Sequence, residues 1–392
     1  LLFLFLSFSG YAQLNLKGTL WECEEIYLTP SFKVISTDSV MGIIYQGLPY
    51  KNHAQSVFAY YATPGLLKGD RSLDNNLPAV VLVHGGGGKA FKEWAVRWAK
   101  LGYAAIAMDL RGNGPDKEHI PGGFEEPGGL TPYFDVTMPL QEQWMFHAVA
   151  DVILAHNLIN SFPETDKKRT SITGISWGGV ITCTVAGLDS RFRAAVPVYG
   201  CGFLDESGRM REELYKLPAE NRERWMKQFD PSNYLRQCKY PVLFVNGAND
   251  VHFYLASLSK SCHLVKNGEF CIKPGLKHSH RWGWENEEIF AFIDHNLNGT
   301  ASLPVFKSVE TKADRIQAKM ALGVPLKQAC LFFTSDTDRI AENRKWQSRE
   351  VVIENNFLIA ERPPENATIW FLSATDQQGR TKSSDIFFQK AK

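Results

Sequence analysis

Ser176 lies in Gly174-Ile175-Ser176-Trp177-Gly178-Gly179, a G-x-S-x-G element between a short apolar run and a segment able to form a helix. A hydroxyl displayed there can act as the nucleophile of acyl transfer. A serine at the tip of a sharp strand-to-helix turn has a strained backbone, so Gly174 and Gly178 stand where side chains would collide. Residues 169–173 have the β-branched content of a buried strand, and 180–188 are apolar and small enough for a packed helix. The N–H groups opening that helix would face the reaction centre and stabilise negative charge on oxygen.

A serine hydroxyl needs an imidazole to take its proton, and the imidazole needs a carboxylate to fix its tautomer. Where the serine stands on a G-x-S-x-G elbow, its partners follow in the chain order acid, then histidine. After Ser176 come strand candidates at 194–199 and 241–246, the second running into Gly247-Ala248-Asn249-Asp250. Asp250 also fits a plain turn former, but its order and strand-end position favour the acid role. The next strand candidate, 270–273, leads through Pro274-Gly275-Leu276-Lys277 to His278 and His280. His278, first after the turn, is the expected base and His280 its reserve. A histidine base implies activity that falls in acid. Of the rival acids Asp189, Asp205 and Asp230, the first lies in a helix-to-strand turn and the last precedes Pro231, a capping position. The H-x-H pair has no further ligand cluster close by in sequence, and no metal is expected.

The run Val80-Val81-Leu82-Val83 ends in His84-Gly85-Gly86-Gly87-Gly88, which bares backbone N–H groups that side chains would obstruct. An oxyanion hole would use an N–H near Gly86 and that of Trp177, the residue after the nucleophile. A nucleotide loop is excluded, because Gly88 is followed by Lys89-Ala90 rather than a Lys-Ser or Lys-Thr pair. Leu110-Arg111-Gly112-Asn113-Gly114 reads as the turn after a strand, so no cofactor is expected.

Together, Ser176, Asp250, His278 and the His84-Gly85-Gly86-Gly87 loop resemble the α/β-hydrolase superfamily over roughly residues 77–297. The serine element, followed by Ala186-Gly187-Leu188-Asp189 and Val198-Tyr199-Gly200-Cys201-Gly202-Phe203, is similar to the acetylxylan esterase and dienelactone-hydrolase-like group. Prolyl-oligopeptidase catalytic domains are near relatives. The resemblance implies ester hydrolysis through an acyl-enzyme, with carbohydrate esters as the usual substrates of the first group. One position departs: many acetylxylan esterases of this type carry glutamine where this chain has Trp177.

With 392 residues, 44% hydrophobic and 22% charged, the chain can bury a sizeable core in more than one domain. A net charge of +1 supplies no field for nucleic acid or an acidic membrane, so neither partner is expected; no pattern specifies an oligomeric state. Residues 1–12 form an apolar run ending in small residues, the remnant of a signal peptide cleaved after Ala12. It is too short to span a membrane and no cysteine follows for a lipid anchor, so a periplasmic or secreted location is expected. Of seven cysteines, Cys262 and Cys271 fit a local disulfide, while Cys183 and Cys201 lie in apolar segments.

These anchors predict an α/β-hydrolase domain over residues 14–303. Alternating runs over 14–61 read as antiparallel strands, followed by strand 79–83, helix 91–101, strand 103–108 and helix 139–158. That succession implies a mainly parallel sheet with helices on both faces and ligands at its carboxyl edge. Insertions at 112–139, rich in glycine and proline, and 204–235, with Trp225, Phe229 and Tyr234, are expected to border the site. Helix 284–297 closes the domain. Runs at 331–334, 349–353 and 368–372, separated by Asp336-Thr337-Asp338 and Gln377-Gln378-Gly379, predict a small immunoglobulin- or fibronectin-like β-sandwich over 304–392.

The expected function is hydrolysis of a small-molecule or polysaccharide ester by a secreted serine esterase, such as a deacetylase of plant polysaccharide. Two alternatives stand beside it. A prolyl-oligopeptidase-like peptidase is disfavoured by the short N-terminal region, and an inactive glycan-binding or adhesion protein by the intact Ser176, Asp250 and His278 set.

Overall fold

The computed structural model describes residues 13–125, 128–336 and 341–389. The apolar run 1–12 lies outside them, as do Pro127, Thr337 and Asp338 of the turn segments.

Three strands, β1 (Phe32–Thr37), β2 (Met41–Tyr50) and β3 (His53–Ala62), pair antiparallel and lead the sheet. Helix α1 (Pro64–Lys68) connects them to an alternating succession: β4 (Leu77–Val83), α2 (Lys92–Lys100), β5 (Ala104–Met108), α3 (Trp144–Ser161), β6 (Thr165–Ile175), α4 (Trp177–Leu188) and β7 (Ala194–Val198). After β7 come α5 (Gly208–Leu214), α6 (Ala219–Phe229), β8 (Val242–Gly247), α7 (Leu255–Leu264), β9 (Gly268–Lys273), α8 (His280–Trp284) and α9 (Glu287–Asn298). The spatial order is β1-β2-β3-β5-β4-β6-β7-β8-β9, with β5 through β9 parallel. Strands β4, β5, β7 and β8 are buried along their whole length, as their unbroken apolar runs require between two helical layers.

Register sets the site. Val83 pairs with Gly174, Ile175 with Val198, Val198 with Val245 and Gly247 with Lys273, so five strands end level at one edge. The loops carrying His84, Ser176, Asp250 and His278 all leave from that edge. Helix starts differ from expectation: the helix expected over 139–158 is α3, which begins at Trp144 after a 3-10 turn Leu140–Glu142. Helix α4 begins at Trp177, directly behind the serine. The helix expected over 284–297 begins three residues later, as α9 at Glu287, and the short α8 precedes it, closed by the Asn286 amide donating to the carbonyls of Trp282 and Gly283.

Beyond α9 the chain is β-rich: β10 (Phe306–Thr311), β11 (Arg315–Met320), β12 (Leu326–Thr334), β13 (Gln347–Glu350), β14 (Val352–Glu354), β15 (Phe357–Glu361), β16 (Ile369–Asp376), β17 (Thr381–Ser383) and β18 (Phe387–Phe388). One sheet, β10-β11-β15-β14, packs Ile316, Ala318 and Leu358 against Leu331, Trp370 and Leu372 of the other, β17-β16-β12-β13. The second layer continues the central sheet: β17 pairs with β9 at Ser383 and Phe270, and Ser383 Oγ accepts the Ile272 N–H at 2.9 Å. Glu288 of α9 adds a 2.8 Å bond from the Thr381 N–H, and Lys382 pairs with Glu269.

The expected Cys262–Cys271 bridge is corrected, since all seven cysteines are free. Successive residues of a strand point to opposite faces. On β9, Phe270 turns toward His263 of α7, the helix that carries Cys262, whereas Cys271 feels the charge of Glu288 on α9. The two thiols are therefore on opposite sides of the sheet. Thiol titration in denaturant without reductant is expected to count seven groups; a count of five would mean that a bridge forms.

Candidate active site

Ser176 sits between β6 and α4 at φ 58°, ψ −118°, outside the regions an L-residue ordinarily occupies. Its N–H donates to the Val198 carbonyl at 2.8 Å, and its carbonyl accepts the Val180 N–H at 3.0 Å to start the helix. The flanking glycines are steric requirements. A Cβ on Gly174 would lie 2.2 Å from the Gly178 carbonyl oxygen, and one on Gly178 would lie 2.1 Å from that of Val83.

His278 places Nε2 2.9 Å from Ser176 Oγ and Nδ1 2.7 Å from Asp250 Oδ2. Asp250 is 4% exposed and its other oxygen accepts the N–H groups of His252 and Phe253 at 2.9 and 2.8 Å. Burial alone would raise its pKa. The hydrogen bond and charge of His278 and the two backbone donors outweigh burial and hold the carboxyl below its ordinary range. The Tyr199 ring stacks on His278 at 4.6 Å, and its hydroxyl donates to the Lys277 carbonyl at 2.7 Å, fixing the loop that brings the imidazole over.

His280, the reserve, has another partner: its Nε2 accepts the Gly85 N–H at 3.0 Å. Burial, then the neighbouring His84, push its pKa down to about 4, so it is the neutral acceptor that this bond needs. His84 holds the same loop from behind. Its Nε2 accepts the Leu110 N–H at 2.9 Å, which leaves Nδ1 to donate to the Gly85 carbonyl at 2.7 Å. Arg111 donates to the carbonyls of Gly87 and Gly88, both at 3.3 Å. A loop of glycines is thus held by three side chains. Gly86 and Trp177 both line a pocket of about 390 Å³ that contains Ser176 and His278. The Trp177 N–H belongs to the first turn of α4, where no intrahelical acceptor exists.

The indole of Trp177 is buried in an aromatic cluster. Tyr133 and Phe134, from the segment after β5, lie 5.1 and 5.2 Å from it, Trp144 lies 5.5 Å away, and Trp225 of α6 lies 6.5 Å away. The 112–139 and 204–235 segments also bind one another, through Trp225 Nε1 to the Tyr133 carbonyl at 3.3 Å, Arg224 to the Val136 carbonyl at 3.2 Å, and Thr131 to Glu213. Both reach the pocket, one with Leu130 and Tyr133 and the other with Met210. A larger groove, about 730 Å³, opens along α2 and shares no residue with this constellation.

Two of the three rival acids are engaged elsewhere, and none meets His278. Asp189 is buried against His156 at 2.7 Å and Arg191 at 2.6 Å; Asp230 accepts from the backbone of Phe203, Leu204 and Ser232; and Asp205 lies in the 3-10 turn Leu204–Glu206. Residues the sequence did not single out are Tyr199, Tyr133, Met210 and His252. The His252 ring lies 4.6 Å from His278, and Asp250, His252 and His278 bring potential ligand atoms within 4.8 Å of one another. Two of the three are already spent on the Asp250–His278 bond. Tyr199 and His252 carried one usable signal, each standing just past the end of a strand or beside a candidate acid.

Residues 16–239 match the acetyl xylan esterase family. Acetyl esterase Axe7A of Xylanibacter ruminicola is 27% identical over 189 residues, covering 44% of this chain and 42% of that protein, so the chain spans less than half of this relative's length. The fold is similar to that of an acetyl xylan esterase from a Paenibacillus species, at TM-score 0.53 and 22% identity over 69% of this chain and 89% of the other. It is also similar to Acetyl Xylan Esterase 1 from a Thermoanaerobacterium species, at TM-score 0.51 and 19% identity over 64% and 83%.

His147, His252 and His280 are pushed down to about 4, first by burial, from an ordinary 6.5. Between those values the unfolded chain binds more protons than the folded one, so stability drains away as pH falls from 6.5 toward 4. Thermal unfolding midpoints are expected to drop steadily over that range; a constant midpoint would contradict the assignment of three neutral histidines.

Proposed function

The chain belongs to the acetyl xylan esterase family, and on that premise we propose that it hydrolyses acetyl esters of carbohydrates with Ser176 as nucleophile. The observation that carries this reading is the 2.9 Å approach of Ser176 Oγ to His278 Nε2, with Asp250 behind the imidazole at 2.7 Å, in a pocket bordered by Gly86 and Trp177.

In the proposed reaction, His278 takes the Ser176 proton as Oγ attacks the ester carbonyl. The N–H groups at Gly86 and Trp177 receive the oxyanion, and the Asp250 carboxylate stabilises the imidazolium. Collapse breaks the bond to the sugar oxygen, which leaves with the proton from His278. Water then gives a proton to His278 and attacks the acyl-enzyme; acetate departs and Ser176 recovers its proton. His280 serves this scheme at one remove, by holding Gly85. Both inserted segments face the pocket and supply the walls that choose the alcohol. The apolar run 1–12 supports a reading of export to the periplasm or beyond.

Wild type is expected to hydrolyse 4-nitrophenyl acetate and to release acetate from acetylated xylan, with Ser176→Ala and His278→Ala each losing about 10⁴-fold or more in kcat. His280→Ala is expected to lose about 10²-fold, the scale of a misplaced oxyanion donor. Full activity in Ser176→Ala, or cleavage of a proline peptide without hydrolysis of any acetyl ester, would overturn the proposal.

A further inference from the structure

The turn that carries Asp250 is held from two sides. From the inserted segment, the Arg209 N–H donates to the Val251 carbonyl at 3.0 Å, and Ser207 Oγ donates to the His252 carbonyl at 3.2 Å while accepting the Tyr254 N–H at 2.9 Å. From the β-sandwich comes the second contact. Asn249 Nδ2 donates to the carbonyl oxygens of Ala341 at 2.9 Å and Arg344 at 2.7 Å, with Glu342 at 3.4 Å beside them. These carbonyls belong to the 3-10 turn Ala341–Asn343 and the residue after it, a turn closed by the Arg344 N–H on the Ala341 carbonyl at 3.1 Å. Three acceptors around one atom also fix the amide orientation, since only the nitrogen can face them.

Asn249 is covalently next to Asp250, whose 2.7 Å bond orients His278. Inside the turn, Asn246 Nδ2 ties the Gly247 and Phe253 carbonyls together at 3.1 and 2.9 Å, bracing the two ends of the loop against each other. A rigid loop transmits a pull at one residue to its neighbour. Displacements of about 1 Å from productive geometry cost on the order of 10²-fold in rate. We propose that Asn249 is a positioning residue through which the C-terminal sandwich sets the acid, making that sandwich a working part of the active site and not an appended binding module. The inference rests on the assignment of Asp250 as the acid.

The test uses the full chain and 4-nitrophenyl acetate. Asn249→Ala is expected to lower kcat about tenfold, to leave KM within about twofold and the thermal midpoint nearly unchanged, and to shift or broaden the low-field proton resonance of His278 Nδ1–H. Asn249→Ser, which keeps one donor, should fall between and serves if the alanine variant does not fold. Glu288→Ala loosens the same seam away from the acid turn, at Thr381 and Lys273, and is expected to lower the midpoint while sparing kcat. Wild-type kcat and resonance in Asn249→Ala would overturn the clamp, as would an equal kcat loss in Glu288→Ala. Asp250→Asn separates the two readings: if it keeps full activity the acid assignment fails, whereas if it is inactive beside an unaffected Asn249→Ala only the clamp fails.

Discussion

The close approach of α4 to the ends of β4 and β6 governs the rest of this structure. Ser176 holds an unfavourable backbone conformation, and it stays there because its N–H is committed to β7 and its carbonyl to the helix behind it. That geometry needs bare backbone at Gly174 of β6, which lies against Gly178 of α4, and at Gly178, which lies against Val83 of β4. Once the elbow is fixed, the level strand ends fix everything else. The glycine loop after β4, the acid turn after β8 and the histidine loop after β9 have one place to converge.

Much of this is legible in the sequence because the chemistry restricts residue type locally. Glycines around a serine and an apolar run before a glycine loop are each visible within a window of a few residues, and the acid and histidine, 28 residues apart, follow successive strands in order. What the sequence hides is pairing across distance. His280 and Gly85 are 195 residues apart, and nothing in H-x-H reveals that one imidazole turns to Ser176 while the other turns to a backbone N–H. The continuous sheet is equally hidden. The textures of residues 14–303 and 304–392 differ, but pairing of β17 with β9 depends on one short strand and a serine side chain. The misplaced disulfide has a similar origin: nine residues of separation suggested proximity, and strand alternation sent the thiols to opposite faces.

Trp177 brings sequence and structure together in a different way. A large side chain directly after Ser176 is where the sequence departs from the glutamine of many acetylxylan esterases, and the indole turns into a nest of rings supplied by both inserted segments. It is the common floor on which the two pocket walls stand. Its backbone carries the Ser176 turn into α4 while its side chain anchors the enclosure, so one position couples that turn to the shape of the cavity.

The seam between β9 and β17 also has a bearing on solubility. In the parallel succession β9 is the last strand, and a terminal strand offers unpaired N–H and C=O groups to any other chain that can lie alongside it. Here Ser383 engages that border with backbone and hydroxyl, and Lys382 and Glu269 place charge along it. The same contact that joins the two layers thus acts as a guard strand, blunting a surface on which two copies of the chain would otherwise zip together.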